Sequence, residues 1–198
     1  MAFVLAFRCI THNRKTNLCI LAELQLQWGS IFAILKKLCD ALLRKERCRK
    51  GEKVESQIRK MTRQDQEAVL EMMRVFYASP AVLSNGSEEI FAADIENCVN
   101  DNPYLEGYVF ESLGELQGYA MIAKSYSTEF GKPCIWIEDL YLKEQYRGLG
   151  LGSRFFDFIT KAYPDCLFRL EVEEENRRAI RVYEKNGFTV LPYTEMKR

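Results

Sequence analysis

The run Asp139-Leu-Tyr-Leu-Lys-Glu-Gln-Tyr-Arg-Gly-Leu-Gly-Leu-Gly152 gathers the residue types best suited to holding a phosphate. It reads as a strand that enters a turn containing Arg147, Gly148, Gly150 and Gly152, after which a helix opens. Glycines at alternate positions let the backbone come close to a ligand with no side chains between them. The helix start then offers unpaired N–H groups and the positive end of a dipole, which together bind phosphate. Arg147 adds a formal charge. The run is not GxxxxGK[ST], and its third glycine comes one residue too early for GxGxxG. On the glycines alone, a phosphate cradle and a plain structural turn both stay open.

Carboxylates flank this turn. Glu138 and Asp139 lie on the strand before it, and Glu171 sits on a later one. Glu171, Glu173, Glu174 and Glu175 form an acidic run that could attract a cationic amine. The same run also fits a solvated strand end beside a helix N-terminus, where acids favour the dipole. Trp136 and Tyr126 are candidate pocket walls, although a Trp on a central strand is more often core. The chain has one histidine, His12, which removes multi-histidine metal sites and most Ser-His-Asp chemistry. With 28 basic and 28 acidic residues, nothing in the charge points to nucleic acid. Seven cysteines, an odd count with no CxxC pair, read as free thiols in a reducing compartment.

Positioning these groups falls to a regular pattern that starts at Gln57. Gln57–Met61 alternates as a short strand. Thr62 caps a helix that ends by Ser79-Pro80, with Val69, Met72, Met73 and Phe76 inward. After a loop at residues 80–87, a second helix spans about Glu88–Val99, with Ile90, Phe91, Ile95 and Val99 inward. Strands are expected at Glu106–Ser112, Leu116–Tyr126 and Cys134–Leu142, the first two joined by the turn Leu113-Gly114-Glu115. A helix over Gly150–Tyr163, a strand over Leu167–Val172 and a helix over Asn176–Asn186 follow, with Gly187 as its stop. Phe188–Leu191 and Tyr193–Lys197 are expected to close the chain as short strands. This order predicts an α/β (α+β) fold, a mixed sheet with helices on both faces.

In that context the glycine turn resembles the pyrophosphate-binding motif of the GNAT superfamily of acetyl-CoA-dependent N-acetyltransferases, (Gln/Arg)-x-x-Gly-x-(Gly/Ala). Gln145-Tyr-Arg-Gly148-Leu-Gly150 matches it, and Arg147 to Gly152 matches its extended form. The family's second signature is similar to Asn176, Ala179, Tyr183, Gly187 and Phe188. The resemblance covers residues 57–198. It implies a GNAT fold: a central mixed, mostly antiparallel sheet of about seven strands, splayed between the fourth and fifth.

The resemblance also implies a division of roles. Backbone groups of Leu140, Tyr141 and Leu142 would pair with the pantetheine arm, and the Leu142 N–H would polarise the thioester carbonyl. The amides of Arg147, Gly148, Leu149, Gly150, Leu151 and Gly152, with Gln145 and Ser153, would hold the pyrophosphate. Asn176 would contact pantetheine beside Ala179. Tyr183 would protonate the leaving sulfur; periodicity alone makes it a core-edge aromatic. The base is Glu138, whose Glu-Asp pair is similar to that of diamine and glucosamine-phosphate acetyltransferases, or Glu171, whose spacing to Tyr183 resembles ribosomal-protein alanine acetyltransferases. Glu138 is favoured because it adjoins the strand holding the thioester. Acetyl-CoA is the implied co-substrate, with no metal, and a small-molecule or peptide primary amine is the acceptor. Val82, Leu83, Ser84 and Tyr104 lie where the family varies its acceptor loops. A homodimer stays open. The alternative is a catalytically weak CoA-binding module with a regulatory or partner-binding role, against which intact Tyr183 and Glu138 argue.

Residues 1–56 differ from the rest: they carry eleven basic and five acidic residues and four of the seven cysteines. Arg8 interrupts the apolar start, and no small-residue cleavage site follows, which argues against a signal peptide. Residues 18–43 are too often interrupted by charge to cross a membrane. A basic amphipathic helix within 18–50 fits a membrane surface, the less favoured reading beside a poorly ordered extension. A third expectation is an over-extended start. Lys-Gly-Glu before Val54 can be encoded with a ribosome-binding core, and Val54 as GTG, so that a product starting there would be fully active. A cytoplasmic enzyme with its domain at residues 57–198 is the resulting expectation.

Overall fold

In the computed structural model, which describes residues 56–194 with 196 and 197, five strands form one sheet in sequence order. They are β1 (Gln57–Lys60), β2 (Leu105–Ser112), β3 (Glu115–Ser127), β4 (Lys132–Leu142) and β5 (Leu167–Leu170). The first four pair antiparallel, and β5 joins β4 in parallel. The helices are α1 (Gln66–Tyr77), α2 (Glu88–Val99), α3 (Leu151–Ala162) and α4 (Arg177–Lys185). The chain divides into Met1–Val54 and Glu55–Arg198. The expectations for residues 1–55 lie outside the described residues.

The β2–β3 hairpin closes where Leu113 and Gly114 both take positive φ, 51° and 74°. That is the pair of conformations a two-residue turn needs to match strand twist. Antiparallel neighbours can turn this tightly; the parallel β4–β5 pair needs a crossover, and α3 supplies it.

Each helix pair covers one sheet face. Val69, Met72 and Met73 of α1 and Phe91 and Ile95 of α2 bury against Val109, Tyr119, Met121 and Tyr141. Leu151, Phe155, Phe156 and Ile159 of α3 bury against Tyr108, Phe110, Ala120, Ile122, Ile135 and Ile137. A fully buried side chain of this size contributes roughly 1.5–3 kcal/mol relative to exposure.

Four expectations shift. The first helix begins as a 3-10 turn at Arg63–Asp65, because the Thr62 N–H and hydroxyl both donate to Asp65 Oδ2 at 2.8 Å. Ile90 is exposed; the buried stripe of α2 runs through Phe91 and Ile95 instead. β5 ends at Leu170 rather than Val172. Phe188–Leu191 and the described part of 193–197 form no strand, so the sheet has five strands instead of about seven. Alternation alone makes no strand without a pairing edge, and Gly187, at φ 87°, turns the chain out of α4.

One irregularity matters for the site. Met121 pairs with Asp139, but its neighbour Ile122 pairs with Ile137, which leaves Glu138 as an extra residue on β4. Such a bulge reverses which side chains point to which face beyond it. Before it, Ile135 and Ile137 join the α3 core; after it, Tyr141 joins the α1–α2 core.

Candidate active site

The β4–β5 ladder begins at Cys134–Leu167 and ends at Ile137–Leu170, while β4 continues to Leu142. Among the described residues, Asp139 to Leu142 therefore pair only with β3. The two strands part at the bulge, which is the expected splay. Leu140 and Leu142 pack with the α3-side core, and Tyr141 is buried on the other face. Backbone groups at a strand edge without a ladder must find other partners. One such group is already engaged: Arg147 Nε donates to the Leu142 carbonyl at 2.8 Å. The Arg147 guanidinium also lies 5.7 Å from the Tyr141 ring centroid.

The glycine turn leads from this edge to α3. After a 3-10 turn at Glu144–Tyr146, which holds the exposed Gln145, Gly148 and Gly150 adopt φ of 82° and 80°. Only glycine takes that conformation without strain. Gly150 is the N-cap of α3 and brings no side-chain cap, so the amides of Leu151, Gly152 and Ser153 stay available at the helix end. A Cβ added at Gly150 would meet nothing within 4 Å, which leaves the approach open. At Gly148 its nearest neighbour would be the Arg178 guanidinium at 3.8 Å, a second cation at the turn. Leu149 is exposed, whereas the Leu151 side chain is core. This turn has the open backbone and the positive charge that a pyrophosphate needs. Gly152 lies against α4, where an added Cβ would sit 3.7 Å from Val182 Cγ1. Ser153 Oγ accepts from Asn186 Nδ2 at 3.1 Å, tying α3 to the end of α4.

On α4, Asn176 is the N-cap, and its Oδ1 accepts from the Ala179 N–H at 3.2 Å. Its amide group remains as a donor. Tyr183 is half-buried, its ring edge-on to Phe156 at 5.8 Å and 6.1 Å from Phe188. Burial raises its phenol, so the proton stays on oxygen at neutral pH.

The adjacent carboxylates part ways at the bulge. Glu138 is exposed, whereas Asp139 is 4% exposed. Asp139 Oδ1 accepts from Tyr77 Oη at 3.1 Å, and Oδ2 from Tyr119 Oη at 3.0 Å. Burial pushes the Asp139 carboxyl up to about 6; the two tyrosines pull it down, while Asp94 and Glu138 push it up. Glu171 lies just past β5, exposed, on the far side of the splay. Trp136 carries the Arg169 guanidinium 4.9 Å from its ring centroid, and Tyr126 and Tyr104 are exposed. Leu83, in the α1–α2 loop with Val82 and Ser84, is 84% exposed. Sequence reasoning gave Asp139 no part of its own and missed Tyr77 and Tyr119. The available signal was Asp139 itself, one of two adjacent acids in an otherwise apolar stretch from Cys134 to Leu142. Among the described residues, no three His, Cys, Asp or Glu side chains are grouped to hold a metal ion, and no helix is long and apolar enough to cross a membrane.

Residues 68–188 match the sequence model of the Acetyltransferase (GNAT) family. The chain is 34% identical over 120 residues to thialysine N-epsilon-acetyltransferase of Sus scrofa, an overlap of 55% of this chain and 68% of the relative. It is 29% identical over 119 residues to the uncharacterized N-acetyltransferase YhfO of Bacillus subtilis (strain 168), covering 58% and 75%. The fold is similar to that of a possible acetyltransferase from Clostridium difficile 630, with TM-score 0.63 and 17% identity over 72% of this chain and 96% of that one. It is also similar to the aminoglycoside N-acetyltransferase AAC(6')-Iy in complex with CoA, with TM-score 0.62 and 15% identity over 73% and 94%.

Proposed function

This chain belongs to the acetyltransferase (GNAT) family and is an acetyl-CoA-dependent N-acetyltransferase, and we propose that its acceptor is a small cationic primary amine. The observation that carries the reading is the splay itself: beyond Ile137, among the described residues, β4 has no strand on its β5 side, and it runs into a glycine turn with open amides. The Glu138-Asp139 pair beside it favours a cationic acceptor, as does the likeness to an enzyme named as a thialysine N-epsilon-acetyltransferase.

Transfer needs a neutral amine, a donor for the developing oxyanion and a proton for the leaving sulfur. Acetyl-CoA supplies the activated acyl group. The edge of Leu140–Leu142 orients the pantetheine arm, and the Leu142 N–H polarises the thioester carbonyl. Arg147 then gives up its bond to the Leu142 carbonyl and turns to the pyrophosphate with the amides of residues 148–153. Glu138 takes the ammonium proton, directly or through water. As the N–C bond forms and the C–S bond breaks, Tyr183 gives its proton to sulfur, and the second proton shed by the nitrogen returns to the Tyr183 oxygen through water. Asn176 steadies the pantetheine through its free amide.

We place the activity in residues 57–198 and the enzyme in the cytoplasm, a reading that Cys98, Cys134 and Cys166, all free thiols, support. A thiol-release assay with acetyl-CoA across diamines, amino acids, amino sugars and peptides tests the acceptor class. Release confined to peptides would sink it, and no release with any amine despite acetyl-CoA binding would return the alternative of a binding module.

Glu138→Gln is expected to lower kcat/KM chiefly at acid pH, where the amine is most fully protonated. The pH profile of the variant checks this. If Glu171→Gln produces that profile and Glu138→Gln does not, the base lies on the β5 side of the splay.

A further inference from the structure

Asp139 is a buried carboxylate at the wall of the splay, one residue from the bulge, and the mechanism above does not use it. Two phenols from different elements converge on it: Tyr77, the last residue of α1, and Tyr119, in the middle of β3. They donate to separate oxygens, at 3.1 and 3.0 Å. Tyr77 is itself held between the two helices that frame the acceptor loop. Its ring lies 5.3 Å from Phe76 of α1 and 4.9 Å from Phe91 of α2. Tyr119 is fully buried, with Phe76 at 6.4 Å and Tyr141 at 5.9 Å.

We infer that Tyr77 and Tyr119 are positioning residues: they hold the Asp139 carboxylate, ionised and fixed, as the anion that draws the acceptor's ammonium to the bulge. The inference rests on the cationic-acceptor reading. A carboxylate offers about four lone-pair positions, so two phenols leave it able to attract a further donor. Hydrogen bonds to the charged form keep a buried acid ionised when burial alone would neutralise it.

The charged and titratable groups around Asp139 come from every element packed on it: Tyr77 from α1, Asp94 and Cys98 from α2, Tyr119 from β3, and Glu138 and Tyr141 from β4 itself. Burial raises both phenols and the Cys98 thiol, and Asp139 raises them further, so all three stay protonated across the working range. Asp94, raised by burial, and Glu138 are the neighbouring acids, and both oppose ionisation of Asp139. Against those two acids the phenols are the groups that keep Asp139 charged near neutrality, with its carboxyl at about 6.

The test is the acid limb of kcat/KM, which reports the free enzyme. Removing a hydrogen bond to the carboxylate moves its titration upward, so Tyr77→Phe should shift that limb up by about half to one pH unit. Tyr119→Phe should shift it the same way, and Asp139→Asn should raise KM for the amine more than it lowers kcat and leave only the part of the limb that Glu138 and the amine's own protonation set. A merely structural tyrosine would cost stability and leave the limb in place. A limb unmoved in Tyr77→Phe, or one unchanged in Asp139→Asn, overturns the inference. Should Tyr119→Phe fail to fold, Tyr77→Phe alone decides, since its ring keeps its aromatic neighbours. Infrared titration of carboxyl-labelled aspartate, with Asp139→Asn as the blank, reads the same midpoint with no acceptor present. An unmoved midpoint there refutes the clamp. A moved midpoint with no cationic amine turned over leaves the clamp standing and overturns the acceptor's part.

Discussion

Gly150→Glu is expected to abolish stabilisation of the protein by acetyl-CoA. A ligand at ~100 times its dissociation constant adds about 2.7 kcal/mol to stability, a shift that thermal melting resolves easily. Two effects combine in the substitution. Gly150 sits at φ 80°, where a side chain is strained, and a carboxylate there faces the amides of the α3 N-terminus and competes for the pyrophosphate's place. Bulk is the lesser matter, because a Cβ at this position meets no atom within 4 Å. Gly150→Asn separates the two effects, since asparagine tolerates left-handed backbone and carries no charge. It should keep most of the stabilisation. A melting shift in Gly150→Glu equal to the parent's would mean that the pyrophosphate binds elsewhere.

Tyr183→Phe is expected to reduce kcat by ~10²-fold or more while leaving acetyl-CoA affinity nearly unchanged, because a positioned general acid typically contributes 10²–10⁴. The ring stays, and with it the packing on Phe156 and Phe188, so stability should change little. Pre-steady-state and steady-state rates with the preferred amine measure the effect. A loss under threefold would leave Tyr183 as no more than the aromatic edge of the α3-side core.

Some of this site is written locally in the sequence, and some is not. The turn at Gly148 and Gly150 is legible because positive φ is a demand on the residue itself, and few residues besides glycine meet it. The caps of α2 and α4, Ser87 and Asn176, are local in the same way. The different fates of Glu138 and Asp139 are not. Alternation says that neighbours face opposite ways, but which one goes inward depends on a register slip against β3 that involves no distinctive residue. Tyr77 meets Asp139 across 62 positions of chain, a contact set by how α1 lies on the sheet. The closing strands misled for the opposite reason: Phe188–Leu191 has the right alternation, but a strand exists only as half of a pair.

The extra residue at Glu138 gives β4 one position that can be lost without changing a pairing. Deleting it would restore a regular pleat, with Ile137 still opposite Ile122, Asp139 still opposite Met121 and each side chain on its present face. The Asp139 carboxylate would keep its two phenol partners, and the cores on both faces of the sheet would stay filled. What would go is the Glu138 carboxylate and the local bend where β4 parts from β5. Mutational scans of this gene should therefore find loss of codon 138 compatible with a folded protein and incompatible with turnover.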